Sequence, residues 1–223
     1  MNAKLNFVPF DGTLGRTKMT RTITGLYDSY EDAELAVRDL EAAGIRDEDI
    51  SLMANNTGER YSRQVKEGNE AGTGAEAGAT FGAVVGGTVG ILAGVGMLAI
   101  PGIGPVVAAG WLAAAAAGVV GSAAAGGAGG GLIGAMIGNG VPEEDANFYA
   151  EGVRRGGTLV TIRAEDHLAA TVEGILRQHD SVDLVARRTA YQEAGWSRFD
   201  ENVPIYDSDE VARERRAHES IRP

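Results

Sequence analysis

The chain contains no cysteine, which excludes disulfide staples, thiolate metal sites and a cysteine nucleophile. Histidine is nearly as scarce. His167, His179 and His218 are the only three, and none has a second histidine or a carboxylate at metal-ligand spacing. Each reads as a capping or surface residue, and no metal or cofactor is expected. Positive charge is in deficit: 20 Lys and Arg stand against 31 Asp and Glu, for a net charge of −11. Phosphate binding needs clustered cations, so a nucleic-acid partner is not expected. The opening MNAKLNFVPFDGTLGRTKMTR lacks the apolar core of a secretory signal, so residues 1–20 read as a flexible leader and the cytoplasm as the default compartment. No nucleophile–base arrangement emerges from Ser, Thr or Lys, and no enzymatic activity is expected.

Charge itself is missing from one long stretch. From Ala77 to Pro142, 66 residues pass without an ionisable side chain, and 22 of the 33 glycines fall between Gly72 and Gly140. In "GTGAEAGATFGAVVGGTVGILAG" glycine recurs at Gly74, Gly78, Gly82, Gly86, Gly90 and Gly94. Each costs about 1 kcal/mol relative to alanine inside a helix. After "PGIGP" the spacing continues in Gly110, Ala114, Gly118, Ser122, Gly126, Gly130, Gly134 and Gly138. Residues four apart share a helix face, so each arm carries a shallow groove that lets two backbones approach closely. This pattern predicts a glycine zipper folded as an antiparallel helical hairpin, with Pro101, Gly102, Gly104 and Pro105 as its turn. The literal G-x-G-x-x-G of Gly129, Gly131 and Gly134 follows no strand, and in so glycine-rich a stretch it reads as chance.

Two environments would satisfy such a hairpin. Each arm exceeds the ~20 apolar residues that span a bilayer. Trp111, near the tip, would then lie at the far interface, and Arg63, Lys66, Arg154 and Arg155 would keep the flanks on the cytoplasmic side. The second arm, however, is mostly alanine and glycine, which gain little from lipid. The alternative is a homo-oligomeric particle whose hairpins form a shared apolar interior able to hold lipid or hydrophobic cargo. Membrane association is the leading expectation, and in both cases the partner is the chain itself. A monomer exposing both arms would show far more apolar surface than monomers tolerate.

The flanks repeat a simpler unit. RTITGLY (21–27) predicts a strand, "DSYEDAELAVRDLEAAG" a helix with Ser29 as N-cap and Gly44 past its end, and ISLMA (50–54) a second strand. GTLVTIRA (157–164), "EDHLAATVEGILRQHD" and SVDLVAR (181–187) predict the same order again. Two such halves make a four-stranded ferredoxin-like sheet with both helices on one face. Between the segment and the second half, "PEEDANFYAEGVRRGG" predicts a helix with acids in its first turn and Arg154 and Arg155 in its last. The acid clusters 47–49 and 143–145 read as solvated helix starts. The expected fold is therefore α+β, a ferredoxin-like βαβ repeat domain with an inserted glycine-zipper α-helical hairpin. Its parts are a leader (1–20), a first half (21–56), a polar linker (57–74), the hairpin (75–140), a helix plus second half (141–188) and a charged tail (189–223). The tail carries eight acids and five arginines, yet Trp196, Phe199, Ile205 and Tyr206 are spaced apolar anchors. Loose tails are usually poor in aromatics, so this one is expected to dock.

"TITGLYDSYEDAELAVRDLEAAGI", "AIPGIGPVVAAGWLAAAAAG" and "VPEEDANFYAEGVRRGGTLVTI" resemble bacterial general stress proteins, in which a heat-induced stress domain is interrupted by a glycine-rich hydrophobic segment. The resemblance spans about residues 20 to 188, and the PGIGP turn and the EGVRRGG–strand junction are its most specific elements. It implies a stress-linked, non-enzymatic protein with membrane or self-assembly roles and no catalytic residues.

Overall fold

The computed structural model describes residues 20–59, 61, 96–120 and 131–219. Five runs of alternating or continuous apolar residues form strands: β1 (Thr20–Tyr27), β2 (Ile50–Asn55), β3 (Gly96–Ile100), β4 (Gly104–Gly110) and β5 (Thr158–Glu165). They make one sheet in the order β1-β5-β2-β4-β3, antiparallel throughout. Among the described residues seven α-helices accompany it: α1 (Tyr30–Ala42), α2 (Trp111–Val120), α3 (Leu132–Gly138), α4 (Glu143–Arg154), α5 (Ala169–Gln178), α6 (Leu184–Glu193) and α7 (Ser208–Glu219). The protein is thus mixed α+β.

Both faces of the sheet are covered, which explains why all six residues of β2 are buried. Ile50, Leu52 and Ala54 point to one face, where they pack with Ala33, Ala36, Val37 and Leu40 of α1 and Val172 and Leu176 of α5. Met53 points to the other, into a core built with Leu112 and Ala116 of α2, Leu132 and Met136 of α3, and Phe148 and Val153 of α4. The sequence places α1 and α5 on a common face; the structure adds a second helical layer on the opposite one.

The local signals for α1 act as expected: the Ser29 hydroxyl accepts from Asp32 N at 3.2 Å, and Gly44 takes φ +88° beyond the C-terminus. β5 lies between β1 and β2.

Two expectations are corrected. The segment 181–187 is not a strand. Asp183 caps α6, its carboxylate accepting from Ala186 N at 2.8 Å, and Arg187 makes two 2.8 Å bonds to Asp28. A bidentate pair and a cap outweigh the weak strand propensity of this stretch. Only the Val182 N–H, donating to Leu26 O at 2.8 Å, follows the free edge of β1. The second correction concerns the arms beside PGIGP. Residues 96–100 and 104–110 are strands rather than helix, joined by a tight turn with Gly102 at φ +74° and Gly104 at φ +99°. Val106 and Val107 are β-branched residues that each bury a side chain on opposite faces, and pairing with β2 satisfies their backbone groups. Within the described part of the central segment, residues 96–110 therefore extend the sheet where helix was expected, while 111–120 and 132–138 are helical.

α4 lies close to β1 because Gly152 has no side chain. A Cβ there would sit 2.5 Å from Leu26 Cδ2, and one on Gly157 would sit 2.9 Å from Leu26 Cδ1. Leu26 is fully buried and has nowhere to go. Gly152→Ala should therefore cost about 1–3 kcal/mol of overpacking. That exceeds the ~1 kcal/mol that alanine normally gains in a helix. Urea denaturation should show a lower midpoint, and an unchanged or higher one would contradict this packing.

Four buried tyrosines set an alkaline limit. Burial raises the phenol pKa of Tyr27, Tyr30 and Tyr149, and pushes that of Tyr191 up to about 12. The Tyr27 and Tyr149 hydroxyls donate to Leu176 O and Thr24 O at 3.3 and 3.2 Å, bonds that ionisation would break. Because the folded values lie above the unfolded one of ~10, their contribution is complete below that pH and is lost as pH rises through the folded values. Circular dichroism should show stability falling above pH ~10, whereas an alkaline plateau would contradict the burial.

Candidate functional site

The glycine series divides on the structure. Gly74, Gly78, Gly82, Gly86, Gly90, Gly94, Gly126 and Gly130 lie outside the described residues, as do residues 1–19 of the leader and most of the polar linker. Gly110 is not on a helix face. It ends β4 at φ +86°, paired with Ser51, and a Cβ there would be 2.2 Å from Ile50 O, so the end of the β2–β4 ladder needs glycine. Gly118 lies in α2, and Gly134 and Gly138 lie in α3, where a Cβ on either would meet nothing within 4 Å. Of the G-x-G-x-x-G, Gly129 is outside the described residues and Gly134 is interior to a short helix.

Pro101, Gly102, Gly104 and Pro105 form a chain reversal, but between strands, with Ala99 paired to Pro105 and Ile100 to Gly104. Trp111, read as a membrane-interface residue, is tied into the body. Its Nε1–H donates to Asp49 O at 3.1 Å, and the Arg163 guanidinium lies 4.8 Å from its ring centroid. Among the described residues no helix is long and apolar enough to cross a membrane.

The tail is folded onto this body. Phe199 is buried in the core of the α2–α4 face, and Trp196 packs at its margin against Phe148 and Tyr191. Ile205 covers Gly104, where a Cβ would approach its Cγ2 to 2.7 Å. Glu201 covers Gly102 in the same way, so the tail runs over the β3–β4 turn. Tyr206 sits over Arg154 and Arg155, at 5.5 and 5.8 Å from ring centroid to guanidinium. Beyond it, α7 opens with a reciprocal cap: Asp207 accepts from Glu210 N at 2.8 Å, and Glu210 accepts from Asp207 N at 2.9 Å. Val211 then lies against Gly156, whose carbonyl accepts from Arg215.

Beneath the tail is an ionic network at the C-terminal end of α4. Glu151 is 0% exposed. Its carboxylate faces Arg154 Nη2 at 2.7–2.8 Å and accepts from Arg155 Nε at 2.6 Å. Arg154 also donates to Asp200 O at 3.4 Å, and Arg155 pairs with Glu214 of α7 at 3.2 Å and stacks on Tyr191 at 4.2 Å. Burial lowers the Arg155 pKa, but Glu151 and Glu214 outweigh it and the net shift is upward, so the guanidinium stays charged. The two arginines are legible in the sequence as helix-end cations. Their shared partner at i−3 and i−4 is the signal that points to the network. Beside it opens a cleft of about 550 Å³ between the end of α4 and residues 194–203.

The remaining polar groups are engaged as surface features. His179 Nε2 lies 2.7 Å from Asp39, joining α5 to α1, and His167 lies 3.4 Å from Glu165. The His218 side chain is outside the described residues. Asp49 and Glu48 pair with Arg46, and Glu143, Glu144 and Asp145 pair with Arg198 and Arg188. Among the described residues no group of acids and histidines is arranged to hold a metal ion.

Comparison with protein-family models, with curated proteins and with solved structures returned no match.

Replacing Glu151 with Gln should leave Arg154 buried without its counter-charge, at a cost of about 3–5 kcal/mol. Thermal unfolding should fall accordingly, and trypsin should cut the tail faster at Arg198 and Arg213. Tail cleavage at the wild-type rate would show that the network does not hold it.

Proposed function

We propose that the chain is a non-enzymatic, stress-associated protein that self-assembles into a homo-oligomer, its α+β body acting as the repeating unit. The stress association rests on the sequence resemblance to general stress proteins. The order β1-α1-β2 with β5 between β1 and β2 supports a ferredoxin-like ancestry for the body, with α6 where a fourth strand would lie.

The observation that carries the assembly reading is the edge strand β3. Its sequence, GMLAI, contains no charge and no proline, and its outer edge has no strand partner among the described residues. Met97 on it is 54% exposed. Edge strands are normally blunted by charge, proline or bulges, and an unprotected apolar one favours pairing with another chain. β3 also follows directly from the glycine-rich residues 72–95. A second feature favours the particle in water over the bilayer hairpin: Val106–Ala109, Leu112, Leu132 and Met136 are spent in the body's own core. The assembly then needs no lipid to hide this part of the charge-free segment.

Light scattering of protein purified without detergent should give a mass at an integer multiple of 23.1 kDa. Met97→Lys should reduce that multiple while leaving the circular dichroism unchanged. Recovery only from membranes, and a single species only in detergent, would overturn the reading in favour of the bilayer hairpin.

A further inference from the structure

Proline at position 105 fixes which backbone groups of the edge strand β3 are free. Pro105 has no N–H, and its carbonyl accepts from Asn56 N at 2.8 Å, so its backbone faces β2. Successive residues of a strand face opposite neighbours, so Val107 also faces β2, while Gly104, Val106 and Ala108 face β3. Their partners Ile100, Leu98 and Gly96 therefore point inward. Met97 and Ala99, opposite Val107 and Pro105, point outward. Their N–H and C=O groups have no partner among the described residues.

The opposite edge of the sheet, β1, is occupied at one end and charged at the other. The Leu26 carbonyl accepts from Val182 N at 2.8 Å, so Leu26 faces outward, and Thr24 with it. The Thr24 carbonyl accepts from the Tyr149 hydroxyl at 3.2 Å. At the other end Arg21 lies on the strand, paired with Asp166 at 3.1 Å. Occupied acceptors and a charge blunt an edge against further pairing. A copy added at β3 therefore meets no second edge suited to a third, and a contact made through β3 alone closes on itself.

We infer that two copies of the chain pair β3 to β3, antiparallel, about a two-fold axis through Leu98, fusing their sheets into one. The inference rests on the self-assembly reading above and gives that assembly its partner strand and register. Met97 of each copy lies opposite Ala99 of the other, and each such pair exchanges two N–H···O bonds. All the free groups of Met97 and Ala99 are then used, whereas a two-residue slide would leave half of them unpaired within β3. The side chains suit the same register. Met97 and Ala99 are exposed on one face, so a long side chain lies beside a short one on either side of the axis. On the other face Leu98, packed against the α2–α4 core, meets its own copy. Charge favours this strand too: GMLAI carries none, so two chains of net charge −11 meet where neither strand repels the other.

Sedimentation equilibrium of the full-length chain without detergent should give twice 23.1 kDa. Ala99→Pro removes one outward N–H from each copy and none from the β3–β4 ladder. It should raise the dimer Kd roughly tenfold with the circular dichroism unchanged. The chain has no cysteine, so introduced ones report contact without background. Leu98→Cys should bridge to its own copy on mild oxidation, because a non-hydrogen-bonded antiparallel pair brings Cα atoms to about 4.5 Å. Met97→Cys lies diagonally from its own copy, at about 7–8 Å, and should not bridge. Val185→Cys, exposed on α6, should not bridge either. A larger assembly with Leu98→Cys unbridged would overturn the two-fold pairing and leave self-assembly standing. A dimer that Ala99→Pro leaves equally tight would do the same. A monomer at every concentration would overturn both.

Discussion

A carboxylate with no exposure to water is the constraint around which one side of this protein is arranged. Glu151 lies on α4, against the sheet, where an unpaired anion would be far too costly to bury. Arg154 and Arg155 follow at the next turn of the same helix and close on it. Their own desolvation must then be offset, and the tail does this. Phe199, Tyr206, Glu214 and the Asp200 carbonyl each take part of a guanidinium. The charge on α4 thus requires residues 199–214 to be in place, and this part of the tail belongs to the fold.

The same helix explains how the second layer fits. Gly152 and Gly157 let α4 and the start of β5 approach Leu26 of β1, so α4 packs flat on the sheet beside α3. The other face holds α1 and α5. A sheet buried on both sides needs apolar residues on both faces of its central strands, and β2 and β5 supply them.

The strand and helix signals of the two halves were legible because they are local. A hydroxyl at an N-cap, a β-branched run and a glycine past a helix end act on the backbone within a few residues. The Pro–Gly turn at 101–105 was legible for the same reason. What flanks that turn was not. Glycine every fourth residue fits a helix groove, but Gly110 is required by something else, a positive φ at the end of β4 beside the backbone of its paired strand. Val106–Ala109 became a strand because the edge of β2 was available to pair with it, and no feature within the segment itself records that. The reversal at 181–187 has the same origin: Asp28, far away in sequence, receives Arg187 and holds the residue in a helix.

By itself the sequence determined the composition of the parts: an acidic, cysteine-free chain, two strand–helix units, a charge-free glycine-rich segment and a tail with aromatic anchors. These follow from residue type and spacing alone. The tertiary structure decided which edge the central segment extends, which face α2–α4 cover, and that Glu151, Arg154, Arg155, Trp196 and Tyr206 meet in one place. The physical reason is that an unpaired sheet edge, an uncovered apolar face and a buried charge are each satisfied by whatever partner the folded chain brings near. That partner is set by long-range contact, and local periodicity does not encode it.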